Sequence, residues 1–164
     1  MTNDLRSQLQ SSLHGRVGFI GLGNLQGGDD AFGVRLAEAL LRAGLPDVMV
    51  AGAEPEAMVS RCLDARLDHL VFLDAADFGA APGSAVFLDS SQMSARFPQI
   101  STHHISLGTL AKCVESSGTT RAWLLGVQPA SLQPSAGLSP AIRAALAVLT
   151  VAITGVIQAE AQPA

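Results

Sequence analysis

Arg16-Val-Gly-Phe-Ile-Gly-Leu-Gly-Asn-Leu-Gln-Gly-Gly-Asp-Asp-Ala-Phe-Gly33 is the stretch that decides the fold. Its first six residues are a short apolar run ending in glycine, the pattern of a strand buried on both faces. Leu22 to Gly28 follow as a loop whose glycines permit backbone angles that other residues avoid. Asp29 and Asp30 then open a helix. Acidic side chains suit the positive end of its dipole, and Phe32, Leu36, Ala39 and Leu40 recur at helical spacing. Gly44 and Pro46 close it.

Working outward, Asp47 to Gly52 reads as a second strand, Pro55 to Ala65 as a second helix, and His69 to Asp74 as a third strand with an apolar middle. Ala80-Ala-Pro-Gly83 is a turn, and Ala85 to Leu88 a fourth strand. Ser106 can cap a helix reaching Ser117, Arg121 to Val127 makes a fifth strand, and Ser139-Pro140 opens a final helix to Ala159. This alternation predicts the α/β class: a three-layer α/β/α sandwich around a mostly parallel five-stranded sheet. Residues 1–15 read as a flexible N-terminal extension and 16–160 as one domain. Gln133 to Leu138 is too short for an interdomain linker.

Composition narrows the function. The chain has 164 residues, 48% hydrophobic and 15% charged, enough to bury roughly two thirds of its unfolded surface and too apolar for a disordered chain. Ten Lys plus Arg against fourteen Asp plus Glu give a net charge of -4, and Lys112 is the sole lysine. Nucleic acid is therefore not an expected partner, since phosphate binding needs a cationic surface. Met1 to His14 lacks the apolar core of a secretory signal. The longest apolar run, Ala144 to Ile157, falls short of the about 20 residues of a membrane span and reads as a packed helix. A cytoplasmic protein without membrane attachment is expected. Cys62 and Cys113 lie far apart in helical apolar stretches and read as two reduced, buried thiols.

In open sheets of this kind ligands bind beyond the carboxyl ends of the strands. Asp29 and Asp30 follow the first strand there, Asp74 ends the third, and His103 and His104 precede the third helix. A charged group at the end of an apolar strand is costly without a cation or several hydrogen bonds. Two carboxylates and an imidazole suit a divalent transition metal with open positions. Each residue also has a plain reading: Asp30 as a helix-start charge, Asp74 as an acceptor of hydrogen bonds in the turn toward Asp77, His103 as a loop histidine. His14, His69 and His104 fit the plain reading better still. A dinucleotide turn at Gly21–Gly27 fits poorly, because the third glycine falls one place late and no acid ends the second strand. A Ser101/His103/Asp74 hydrolase lacks the nucleophile elbow.

The motifs together resemble the nickel–iron hydrogenase maturation endopeptidases. Gly21-Leu-Gly-Asn-Leu-Gln-Gly-Gly-Asp-Asp-Ala-Phe-Gly33 is similar to their opening motif. Asp74-Ala-Ala-Asp-Phe-Gly79 with Ala81-Pro-Gly83 is similar to the second, and Ser101-Thr-His-His-Ile-Ser-Leu107 to the third. Gly126-Val-Gln-Pro-Ala-Ser-Leu-Gln-Pro134 with Gly137-Leu-Ser-Pro140 is similar to the carboxyl-terminal segment. The resemblance runs from Arg16 to Ile157.

It implies a protease that removes a short C-terminal extension from the hydrogenase large-subunit precursor once nickel has been inserted. The family's metal-contacting and catalytic positions fall on Asp30, Asp74 and His103, with nickel supplied by the precursor and no tightly held cofactor of the enzyme's own. A monomer is expected. Two positions depart from the pattern: Gln26 replaces an apolar residue, and Val50 stands where an Asp is common, with Glu54 or Glu56 as substitutes. A nickel-sensing docking chaperone that does not cut is the alternative function, since it would keep the same ligands.

Overall fold

The computed structural model describes residues 2–96 and 106–162. The central sheet contains β1 (Val17–Leu22), β2 (Val48–Gly52), β3 (His69–Ala75), β4 (Ala85–Asp89) and β5 (Arg121–Val127) in the order β2-β1-β3-β5-β4. All neighbours pair in parallel except β4, which runs antiparallel along β5. Six helices surround it among the described residues: α1 (Thr2–Ser12), α2 (Phe32–Arg42), α3 (Glu56–Asp64), α4 (Ser90–Arg96), α5 (Leu107–Glu115) and α6 (Pro140–Ala161). A 3-10 turn, Gly28–Ala31, leads into α2.

Alternation along the central strands builds two cores. Val71 and Leu73 of β3 face one layer with Phe19, Trp123 and Leu125, where they meet Phe32, Leu36 and Leu40 of α2 and Ile142, Leu149 and Ile153 of α6. Leu70 and Phe72 face the other, with Ile20 and Leu124, and meet Val59 of α3, Met93 of α4 and Leu110 and Val114 of α5. The sheet is therefore covered on both faces, as the unbroken apolar strands require. The α/β/α layering expected from the sequence is the layering observed.

Two expectations are corrected, and one further helix is found. Residues 2–12 are not a flexible extension but α1, which packs on α6 and β4, and Leu5, Leu9 and Leu13 are buried in the first core. Their spacing of four places them on one helical stripe, and full burial of each leucine is worth about 1.5–3 kcal/mol. Seven residues after β4 form α4. Its start is a reciprocal cap in which Gln92 N–H donates to Asp89 Oδ1 at 2.8 Å and Asp89 N–H donates to Gln92 Oε1 at 3.0 Å.

The second correction is Cys113, which is exposed. The buried stripe of α5 is Leu107, Leu110, Ala111 and Val114, and Cys113 falls off it. Cys62 is buried, which pushes its thiol up to about 11. α6 is long and apolar enough to cross a membrane by length and composition, yet Ile142, Ala145, Leu149, Ile153 and Val156 lie in the first core.

Candidate active site

The carboxyl ends of β1 and β3 meet at the turn that opens α2. Gly33, in the first turn of that helix, lies so close to the strand ends that an added Cβ would run into the carbonyl oxygens of Leu73 and Leu22. Only glycine lets the helix sit this near the sheet. Gly23 does the same for the preceding loop: its φ is 128°, and a Cβ there would run into the carbonyl oxygen of Asp30. The loop is also tied to the end of β2, because Gly23 N–H donates to Gly52 O at 2.9 Å.

These close approaches deliver Asp30. Its side chain is partly exposed, and its Oδ2 accepts Asn24 N–H at 3.2 Å across the glycine loop. Asn24 Oδ1 in turn accepts Gln26 N–H at 2.9 Å. Gln26 thus sits in the loop as a backbone donor with its side chain in solvent, which is why a polar residue is tolerated there. Asp74 lies at the same edge, in the second-last position of β3 opposite Gly126 of β5, and is buried. Both predicted carboxylates are at the carboxyl edge, Asp74 near the end of β3 and Asp30 in the turn that follows β1.

His103 and His104 lie outside the described residues. Among the described residues no three His, Cys, Asp or Glu side chains form a group that could hold a metal ion. The first described residue beyond that segment is Ser106, whose Oγ caps α5 by accepting Thr109 N–H at 3.2 Å. The far end of α5 is fixed at the opposite edge, where Glu115 accepts Ala122 N–H at 3.1 Å and the Ser90 hydroxyl at 2.7 Å.

Two further residues hold this edge together. Asp29 is only 3% exposed. Its carboxylate accepts Ser139 N–H at 2.7 Å, Ser139 Oγ–H at 2.9 Å and Ala130 N–H at 2.9 Å, joining the turn that carries Asp30 to the segment before α6. Burial pushes this carboxyl up, but hydrogen bonds from Ser139, Ala130 and Ser131 outweigh it, so Asp29 stays below the ordinary carboxylate range.

Gln128 is the second. Its Oε1 accepts Phe78 N–H at 2.8 Å and Ala80 N–H at 3.3 Å, while its Nε2 donates to Asp77 Oδ1 at 3.1 Å. The loop after Asp74 is thereby anchored to the end of β5. A polar residue at the end of a buried strand was the sequence signal for Gln128. For Asp29 nothing local distinguished it from Asp30. Val50, the departure at β2, packs against the first core, and Glu54 beyond it is exposed.

Chemically, the edge offers one partly exposed carboxylate and one buried carboxylate on rigid backbone. Such a pair can contribute oxygen ligands to a divalent cation or serve as a base toward water.

Known proteins resemble this chain in both sequence and fold. Residues 34–156 match the family model of the hydrogenase maturation proteases. The chain is 34% identical over 135 residues to the hydrogenase 2 maturation protease of Escherichia coli K12, covering 79% of this chain and 82% of that one. Its fold is similar to the crystal structure of the [NiFe] hydrogenase maturation protease HycI from Thermococcus kodakarensis, with TM-score 0.82, 28% identity and coverage of 94% and 99%. It is also similar to the hydrogenase maturating endopeptidase HybD of E. coli, with TM-score 0.73, 28% identity and coverage of 90% and 94%. A matched family model over most of the length, on a sheet whose carboxyl edge carries the acids, places the chain in the hydrogenase maturation protease family, a family of peptidases.

Proposed function

We propose that this peptidase removes the C-terminal extension of a nickel-loaded hydrogenase large-subunit precursor, working in the cytoplasm as a monomer. Asp30, Asp74 and His103 contact the nickel already held by the precursor, so the metal belongs to the substrate and the enzyme keeps no cofactor of its own. The observation that carries this reading is that Asp74, near the end of β3, and Asp30, in the turn that follows β1, lie at the same edge of the sheet, where backbone approaches exclude any side chain at Gly23 and Gly33. Connectivity supports His103 as the third contact. It precedes the capping Ser106 by three residues, and α5 runs from that cap toward the amino end of β5.

Weak ligands from the protease complete a metal site only when nickel is present. Selectivity is then a difference in affinity between loaded and empty precursor. Hydrolysis adds water across the scissile amide, the hydroxyl going to the carbonyl carbon and a proton to the leaving amine. Nickel can assist by polarising that carbonyl or by lowering the pKa of the attacking water. Alternatively one carboxylate takes the water's proton while nickel only positions the peptide.

Intact-mass spectrometry of the precursor after incubation with the enzyme tests the reading. Loss of a C-terminal peptide is expected from nickel-loaded precursor and not from metal-free precursor. Equal cleavage of both would overturn nickel recognition, and cleavage of neither would overturn the assigned substrate.

A further inference from the structure

We propose that the outer edge of β2 is a docking strand to which an extended segment of the precursor polypeptide adds as a sixth strand. The identity of this occupant rests on the peptidase reading above, whereas the edge itself does not.

A sheet edge presents unpaired N–H and C=O groups, and proteins usually blunt it with charges, proline or a covering element. The two edges here differ. β4 has α1 packed beside it, and Asp4, Gln8, Gln92 and Arg96 line the groove along it. β2, Val48-Met-Val-Ala-Gly52, has neither charge nor proline, and all five residues are partly exposed.

The ladder to β1 shows which groups remain. Phe19 N–H donates to Asp47 O at 2.9 Å, and Ile20 pairs with Met49. In a parallel ladder alternate residues turn both backbone groups toward the partner strand. Asp47 and Met49 therefore face β1, and Val48 and Val50 direct N–H and C=O outward. No turn, loop or side-chain hydrogen bond among the described residues takes up these outward groups.

What selects a polypeptide substrate as occupant is where the edge leads. β2 ends at Gly52, whose carbonyl holds Gly23 of the loop that presents Asp30. A chain laid along Val48 and Val50 continues onto that loop in extended form. Main-chain hydrogen bonds would supply the affinity, and side chains on alternate faces the selectivity. The other occupant chemistry, a second copy of this chain pairing edge to edge, would cover the route to the loop.

Two measurements test this. Val50→Pro removes one outward N–H at a position where an edge strand tolerates proline. It should raise KM for the nickel-loaded precursor about tenfold, with kcat within about twofold, while Val50→Thr, which keeps the N–H, behaves as the native enzyme. An unchanged KM in Val50→Pro with native circular dichroism would overturn the proposal. So would a native dimer that Val50→Pro turns into a monomer of unchanged KM.

The second measurement needs no variant. A fluorescent synthetic peptide of the precursor's C-terminal segment is titrated with native enzyme, and its amides are N-methylated one at a time. Weakened binding at every other position is expected, and uniform tolerance would overturn docking. Because this reads binding rather than cleavage, a precursor left uncut would overturn the proposed processing reaction without touching the result at the edge.

Discussion

β3 carries an ionisable side chain near each end, and the two have opposite fates. At the amino end, His69 Nδ1 accepts the indole N–H of Trp123 at 3.0 Å. That indole stacks on Phe87 with ring centroids 4.8 Å apart, and the Arg121 guanidinium lies 5.2 Å above it. The imidazole is thus one side of a packed wedge that closes the core. At the carboxyl end, Asp74 lies beside a loop and a helix start whose glycines allow backbone to touch backbone, and the packing there belongs to Gly23, Gly33, Asp29 and Gln128. One edge uses its polar side chains to hold the sheet shut. The other is held by backbone approaches at Gly23 and Gly33 and by Asp29 and Gln128, with Asp30 partly exposed beside them.

The largest effect should come from breaking the two ends separately. Asp74→Asn and Asp30→Asn keep the shape of each side chain and remove its charge. Either is expected to slow processing of the nickel-loaded precursor by at least about a hundredfold, the low end for losing a positioned base, and His103→Ala should do likewise. His69→Gln should leave the rate within about twofold. Mass-spectrometric time courses on folded variants provide the readout. A rate loss in His69→Gln matching that in Asp74→Asn would erase the distinction between the edges.

Next in size is the contrast between adjacent acids at the carboxyl edge. Asp29→Ala removes the buried acceptor of two backbone donors, the half-buried Ser139 N–H and the exposed Ala130 N–H, together with that of the Ser139 hydroxyl. The cost should be about 1.5–3 kcal/mol of folding stability, the range for losing hydrogen bonds to a charged group. Asp30→Ala loses one longer bond from Asn24 at a partly exposed site and should cost under about 1 kcal/mol. Urea denaturation of both variants measures the difference. Equal losses would mean that Asp30 too is chiefly scaffold.

How much of this was legible in the sequence follows from the range of the interactions. β1, β3 and β5 are unbroken apolar runs because both faces are covered, so they could be read directly, as could the glycine loop and the helix start at Asp29 and Asp30. α1 was misread because its three leucines sit in an otherwise polar segment and meet α6 and β4, both distant in the chain. α4 had a local signal, the Asp89–Gln92 cap, that a search for apolar periodicity passes over. At the site, Asp30 and Asp74 were legible as acids after apolar strands. The role of Asp29 was not, because its partners Ala130 and Ser139 are 101 and 110 residues distant.

The smallest effect sharpens the structural reading of the amino edge through pH. Burial lowers the His69 pKa from its usual value. Asp68 opposes that shift, while Arg121 and His14 add to it. Near pH 6 the unfolded chain therefore binds more protons at this residue than the folded one, and stability rises with pH there. His69 contributes nothing pH-dependent well above its unfolded pKa of about 6.5, and it withdraws stability as pH falls from that point through the lower folded value. Protonation also puts a hydrogen on Nδ1, which then cannot accept the Trp123 N–H. Denaturation of the native protein and of His69→Gln at pH 8 and pH 5.5 isolates the term, since the groups common to both cancel. The native protein should lose more stability on acidification than the variant, with the gap opening only below pH 7. A gap that stays constant would show that the imidazole titrates alike in both states and that the wedge leaves it as open to water as the unfolded chain does.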